Sequence, residues 1–262
     1  MAACTTSVSY THLDVYKRQS VFSLQWSTYR IFSPTKVKKS KMAHAKLSPS
    51  SSERWMNCSG SVALIGDESS VAGDPAMKGT AAHRVIEVML GTKKVAARNY
   101  IGKWVQVHEG DETARIVDSE RAAATLKPGW RAFPIDEDMV YGVQTMVDEV
   151  NRVMATLFMP ELFTERYLDG RWLDSRLGGT ADVTAVEPFG WIHLFDYKNG
   201  YVTVEVKDNP QMKNYAVFLL HEHEDCEGVV VHLIQPNAPH EDGIIPVSYT
   251  HLRRTARCLW AR

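Results

Sequence analysis

An α/β fold, a mixed sheet flanked by helices, follows from three observations. Two segments repeat apolar residues at helical spacing. Three consecutive segments read as strands, two of them joined by a tight turn. A proline-opened helix then separates those strands from a last, wholly apolar one. The predicted order is helix, three strands, helix, strand (α-β-β-β-α-β).

Ser48 to Ser52 is a Ser/Pro-rich entry in which Ser51 or Ser52 caps a short helix carrying Trp55 and Met56. Gly73 to Pro75 is a loop. Met77 to Leu90 is a helix with Ala82, Val85, Ile86 and Met89 on one stripe, ended by Gly91. Gly91 to Pro134 is polar and mixed and yields no assignment. Asp136 or Asp138 starts the clearest helix. Val140, Val143, Val147, Val150, Met154 and Leu157 recur there at three- and four-residue steps, and Pro160 stops it. Leu162 to Leu168, Thr180 to Val186 and Trp191 to Tyr197 are strands. The turn at Pro188 to Gly190 makes the last two a hairpin. Tyr201 to Val206 adds a short strand. Asn209-Pro210 opens a helix that runs to about Leu220. His221 to Glu227 is a loop, and Gly228 to Ile234 is a strand of the buried type.

The chain has 262 residues, 44% hydrophobic and 23% charged, which suits one large domain or one domain plus a small appendage and excludes a disordered chain, a collagen or a coiled-coil rod. It has no apolar run of about 18 residues, the length a transmembrane helix needs. A net charge of -1 argues against a wholly basic nucleic-acid coat, so a polyanion site must be a local patch. Cys4, Cys58, Cys226 and Cys258 are far apart without CxxC spacing. That argues against a zinc ribbon or a disulfide framework and favours a reducing compartment.

The hexapeptide VSYTHL occurs at Val8 to Leu13 and again at Val247 to Leu252. A perfect repeat at the two edges alone is no solenoid period. The flanking residues, Asp14 to Gln19 and Arg253 to Arg262, share no pattern with the interior and resemble translated adapter read-through. Residues 1–41 are therefore read as a non-native or disordered leader and 247–262 as a non-native tail, around a domain at 42–246 that is cut short at its C-terminus. The alternative is a pair of edge strands. Lys36, Lys38, Lys39 and Lys41 precede Met42, the expected start, without the apolar core of a secretory signal. With Cys4 and Cys258 in suspect sequence, no iron–sulfur cluster is expected.

Three local features carry chemistry. Asp182 sits on an otherwise apolar strand behind Gly178-Gly179. Phe195-Asp196-Tyr197-Lys198 ends the next strand, so Asp196 and Lys198 share one face and Phe195 and Tyr197 the other. Gln211 and Tyr215 lie one turn apart on one helix face. A carboxylate on an apolar strand is unfavourable when buried alone, by several kcal/mol (about 2–7 even for neutral polar groups). A divalent cation shared by Asp182 and Asp196 relieves that, and oxygen ligands suit a hard ion such as Mg2+ or Mn2+. Such an ion polarises a phosphoryl oxygen and activates a water. Lys198 then holds or deprotonates the attacking water or neutralises transition-state charge. This is the minimum for phosphodiester hydrolysis.

A strand aspartate, a hairpin, Asp-X-Lys and a following Q-x-x-x-Y helix together resemble the PD-(D/E)XK nuclease superfamily, in particular its RecB-type branch. That branch also has a histidine on an upstream helix, matched by His83 in Gly79-Thr80-Ala81-Ala82-His83. The entry Leu47 to Trp55, the run Cys58-Ser59-Gly60-Ser61 and Gly179-Thr180-Ala181-Asp182 are similar to a phage and prophage family of this type known only as a domain of unknown function. The resemblance covers roughly 42–246. It implies a restriction-endonuclease-like core and a metal-dependent DNA nuclease acting in phage DNA processing or recombination. Asp182, Asp196 and Lys198 would be catalytic. His83, Asp182, Asp196 and the Tyr197 carbonyl would face the metal. Gln211 and Tyr215 would orient Lys198 or touch the nucleic-acid backbone. Glu165 is a weaker candidate for an extra acidic ligand. Single- or double-stranded DNA is the implied partner, with a recombination or helicase protein beside it, in the cytoplasm of a bacterial host and away from membranes. Asn199-Gly200 departs from the family pattern in being only a turn.

Plainer readings stand beside these. Asp-X-Lys alone is most often an exposed ion pair, worth ~0–1 kcal/mol. Glu87 is an ion-pair partner one turn from His83. His221, His223, His232 and His240 lack a ligand pattern, and Trp55, Trp104, Trp130 and Trp172 suit core packing better than base stacking. Lys198, Lys207 and Lys213 supply the local basic patch. The rival functions are a catalytically silent nuclease-fold accessory that binds DNA, and a structural phage protein with ion-paired carboxylates.

Overall fold

Helices cover both faces of one mixed sheet, and the break between those faces is where the polar residues converge. The computed structural model describes residues 9–11, 30–32, 45–65, 73–92, 96–240, 243–244 and 247–253. Its strands are β1 (Ser9–Thr11), β2 (Arg30–Phe32), β3 (Trp104–His108), β4 (Ala114–Val117), β5 (Trp130–Pro134), β6 (Glu161–Asp169), β7 (Gly178–Val186), β8 (Trp191–Tyr197), β9 (Gly228–Ile234), β10 (Pro239–His240), β11 (Gly243–Ile244) and β12 (Val247–Arg253). Its helices are α1 (Ser52–Asn57), α2 (Gly60–Ile65), α3 (Asp74–Thr92), α4 (Glu120–Ala124), α5 (Glu137–Met154) and α6 (Pro210–Glu222). The main sheet runs β1-β12-β9-β8-β7-β6-β2. The β8–β9 and β2–β6 pairs are parallel and the others antiparallel.

One face packs on α3 and α5, burying Val183, Ala185, Phe195 and Tyr197 against Val85, Met146 and Val150. The other packs on α6, burying Leu194, Val229, Val231 and Leu233 against Met212, Phe218 and Leu219. With helices on both sides, every residue of β9 is buried, as its unbroken apolar run requires. Asp136 caps α5 through a carboxylate that accepts the Met139 N–H, and Asn209 caps α6 in the same way at Met212.

Strand alternation is broken at one place. Leu162 and Leu168 are both even-numbered, yet they lie in opposite cores, and so do Ala181 and Val183. The β6–β7 ladder runs from Thr164↔Val183 to Arg166↔Ala181 and skips the intervening pair, Glu165 and Asp182. Glu165 has φ of 48°, a left-handed conformation that a non-glycine residue adopts only where the surroundings impose it. The two acids thus face each other across a local reversal of the sheet.

Several sequence expectations change. Helix α5 ends at Met154 rather than at Pro160, because Thr156 folds back, its N–H and hydroxyl both donating to the Val153 carbonyl at 2.8 and 2.7 Å. Leu157 lies beyond the helix but still packs on the core. Tyr201 to Val206 is not a strand: the Gln235 carboxamide takes both backbone groups of Val204, at 2.9 Å each, as a strand neighbour would. The unassigned stretch before Pro134 holds a small antiparallel sheet, β4-β3-β5, packed on α3. Val247–Arg253, set aside from the fold by sequence, pairs along β9, and Ser9–Thr11 pairs with it in turn. An open sheet edge accepts any extended segment of suitable alternation, so this pairing bears on folding and not on the segment's origin. Met42, the preceding lysines, Cys4, Asp14 to Gln19 and Cys258 lie outside the described residues.

A buried polar chain links α5 to the sheet. His193 Nδ1 lies 2.9 Å from His232 Nε2, His232 Nδ1 lies 2.9 Å from Glu149 Oε1, and Arg152 grips Glu149 with two nitrogens. One proton per imidazole satisfies this chain, each Nδ1–H donating onward. Burial holds His232 below its ordinary value and pushes His193 down to about 3. Below the ordinary histidine value of about 6.5 the unfolded chain takes up protons that the folded one refuses, so stability is full above that pH and falls beneath it. Two such histidines give a slope of up to about 2.7 kcal/mol per pH unit. Because His83 and Asp196 shift the other way, the readout is a difference: urea unfolding between pH 7.5 and 5 is expected to lose stability faster in the parent than in His193→Gln, and identical pH profiles would contradict the neutral chain.

Candidate metal centre

His83 projects from α3 toward the β6–β7 reversal, one turn after Gly79. Its Nδ1 is 3.4 Å from Glu165 Oε1 and 3.4 Å from Asp182 Oδ1. Among the described residues, these three form the one group whose ligand atoms all lie within 4.8 Å of one another. Their side chains are 25%, 32% and 16% exposed, open enough to admit an ion and sheltered enough to hold it. The second Asp182 oxygen accepts the Tyr197 N–H at 2.8 Å. It stands where a β7 backbone carbonyl would continue the ladder, because β7 and β8 pair only as far as Val183↔Phe195.

Asp196 is 2% exposed and belongs to a second group. Its Oδ1 accepts from Gln211 Nε2 at 3.1 Å, and its Oδ2 is 2.8 Å from Lys198 Nζ without hydrogen-bond alignment. Lys198 in turn donates to Gln211 Oε1 at 3.0 Å. The carboxamide of Gln211, set in the first turn of α6, therefore locks acid and ammonium together. Tyr215, one turn further on, gives its hydroxyl to the Thr180 carbonyl at 2.6 Å. It fixes the β7 segment that carries Asp182 and leaves the lysine to Gln211.

The geometry gathers a different set from the expected Asp182–Asp196 pair. Glu165 joins Asp182 and His83, while Asp196 is not in the group. Glu165 looked weaker in sequence because its nearness to Asp182 appears only once β6 and β7 are in register. Tyr197 meets the site through its N–H. Its ring lies on the α3 side, edge-on to His83 at 5.7 Å, and its hydroxyl is 3.2 Å from Asn199 Oδ1.

The electrostatics call for positive charge. Burial raises Asp182, and the Glu165 charge adds to it against the pull of His83 and Lys198. Burial pushes Asp196 up to about 6, with Lys198 opposing and Asp182 reinforcing. Burial disfavours the His83 imidazolium, but Asp182 and Glu165 outweigh it and raise the group to about 9. A proton on His83 offsets part of the charge of the two acids, a place that a bound cation would take.

Other candidates resolve more plainly. Glu87 pairs with Arg84 at 2.6 Å and Lys213 with Asp208 at 2.7 Å, while Lys207 is exposed. His232 belongs to the Glu149 chain, and His221 stacks on Trp172 at 3.9 Å. Trp172 is 45% exposed, contrary to the core role expected of it. Cys58 is exposed and Cys226 is buried, its thiol facing the Glu187 carbonyl at 3.6 Å, and no described helix is long and apolar enough to cross a membrane.

No solved structure matches the chain. Residues 44–254 match a family described as a protein of unknown function, DUF2800. The match spans most of the 262 residues, and the chain belongs to that family.

Proposed function

We propose that the chain is a Mg2+- or Mn2+-dependent DNA nuclease of the PD-(D/E)XK, RecB-like type, with a restriction-endonuclease-like core, serving phage or prophage DNA processing in a bacterial cytoplasm. One observation carries this reading: a His–Glu–Asp cluster stands beside an acid–lysine pair locked by Gln211, on adjoining strands of one sheet. His83, Glu165 and Asp182 would hold the ion. Two carboxylates and one imidazole suit Mn2+ well and Mg2+ adequately. When bound, the ion supplies Lewis-acid polarisation of a phosphoryl oxygen. Lys198 presents its ammonium to charge developing on the phosphate, and Gln211 prevents it from swinging away. Gly178-Gly179 and the Tyr215–Thr180 bond hold the β7 backbone so that Asp182 keeps its place. A recombination or helicase protein is the partner this role calls for.

With Mn2+ the full chain is expected to cut DNA offered as supercoiled plasmid, linear duplex or single strand in at least one of these forms, and to leave all of them intact when EDTA removes the metal. All three forms left intact by a protein that binds Mn2+ saturably would overturn the nuclease reading and favour a silent DNA-binding accessory.

A further inference from the structure

We propose that the cleft beside the metal centre holds one unpaired nucleobase of the substrate, stacked on Tyr201. The proposal rests on the nuclease reading for the identity of its ligand. The cleft encloses about 310 Å3 between the first turns of α3 and α5 and the loop after Lys198, lined by Lys78, Phe133, Met139, Asn199, Tyr201 and Asn237. That volume is at the low end for small-ligand pockets and leaves room for one heterocycle, not for a duplex.

The lining is chemically specific. Phe133 and Met139 give an apolar wall, and Tyr201, 71% exposed, gives a free aromatic face at the rim. Asn199 Oδ1 receives the Tyr197 hydroxyl, which leaves its amide N–H groups for a ligand. Asn237 Nδ2 donates to the Asn199 carbonyl, which leaves its side-chain oxygen. A donor and an acceptor on neighbouring carboxamides match the edge of a base. Charge disfavours a phosphate inside the cleft: Asp138 lines it, Lys78 is drawn to Asp136 at 3.6 Å, and Asp74 is already paired with Arg131. The ligand is therefore neutral, planar and hydrogen-bonding, with its phosphate outside.

Position ties the cleft to the chemistry. Asn199 follows Lys198 directly, and its Cβ would lie 4.0 Å from a Cβ placed on Gly79, one turn before His83. Lys78 precedes His83 by five residues, about 7.5 Å along the helix axis and roughly 140° around it, so the link between cleft and cluster runs through the Lys198–Asn199 turn rather than along one face of α3. In a duplex that base would be paired and stacked, so the cleft selects single-stranded DNA, a frayed end or a flap.

The test uses the full chain with Ca2+ and a single-stranded oligonucleotide carrying 2-aminopurine, whose fluorescence falls on stacking. The expected result is saturable quenching by the parent, about tenfold weaker binding by Tyr201→Ala and by Asn237→Leu, and retention by Tyr201→Trp. Tyr201 lies in an exposed loop, so its variants keep the fold. Equal binding by parent and Tyr201→Ala overturns the proposal. So does a parent that cuts DNA with Mn2+ but gives no quenching, and there the nuclease reading survives. Tyr201-dependent quenching by a parent that never cuts DNA supports the cleft and overturns the nuclease reading instead.

Discussion

Lys198→Ala is expected to slow Mn2+-dependent DNA cleavage by about 10²–10³-fold, the loss seen when one preorganised donor to a developing oxyanion is removed, while Mn2+ binding persists. The ammonium is held on two sides, 2.8 Å from Asp196 and 3.0 Å from Gln211, and its side chain is 28% exposed. Burial disfavours its charge, but Asp196 and Asp182 outweigh that and raise its pKa above the ordinary lysine value. It therefore remains an ammonium across neutral pH. Of the roles open to it from sequence, deprotonating the attacking water is thus the one its surroundings oppose, and charge stabilisation the one they favour. Lys198→Arg is expected to rescue little, because a planar guanidinium cannot occupy the point where Gln211 and Asp196 converge. Gln211→Ala frees the lysine without removing it, and a smaller loss is expected. Single-turnover cleavage with parallel Mn2+ calorimetry checks all three. Undiminished cleavage by Lys198→Ala would remove the lysine from the mechanism.

What could be read from sequence follows the range of the forces involved. Trp191–Tyr197 and Gly228–Ile234 are legible to the residue because helices bury both of their faces and their ends carry turn chemistry. The opening of α6 is legible because Asn209-Pro210 is a local signal. The face of Asp196 and Lys198 follows from strand alternation alone. Glu165 does not, since its place depends on a left-handed residue that reverses the alternation of β6, and nothing in the glutamate itself announces that conformation. The false strand at Tyr201 to Val206 has the same origin: the backbone of Val204 at its centre is satisfied by the distant side chain of Gln235. The small sheet β4-β3-β5 escapes because β4 and β5 are short and only partly buried, so their pattern is weak. Local chemistry was readable, whereas placement by long-range pairing was not.

That distinction can be tested in the candidate metal site, where sequence pattern and geometry point to different ligand sets. Pattern pairs Asp182 with Asp196, while geometry pairs Asp182 with Glu165 and His83. Asp182→Ala and Glu165→Ala are each expected to weaken Mn2+ binding by at least about 100-fold, since removing a ligand exceeds the roughly 10–100-fold loss from disturbing the residues behind one. Asp196→Asn keeps the shape and the Gln211 contact. It removes a charge that Lys198 already neutralises at 2.8 Å. Mn2+ affinity should then stay within a few-fold of the parent, while cleavage drops because Lys198 has lost its anchor. Isothermal titration of the three variants, with thermal melts to establish folding, separates the two sets. An Asp196→Asn loss as large as that of Asp182→Ala would place the ion between β7 and β8. Glu165 would then owe its conformation to packing alone, and Lys198 would face a ligand instead of a free carboxylate.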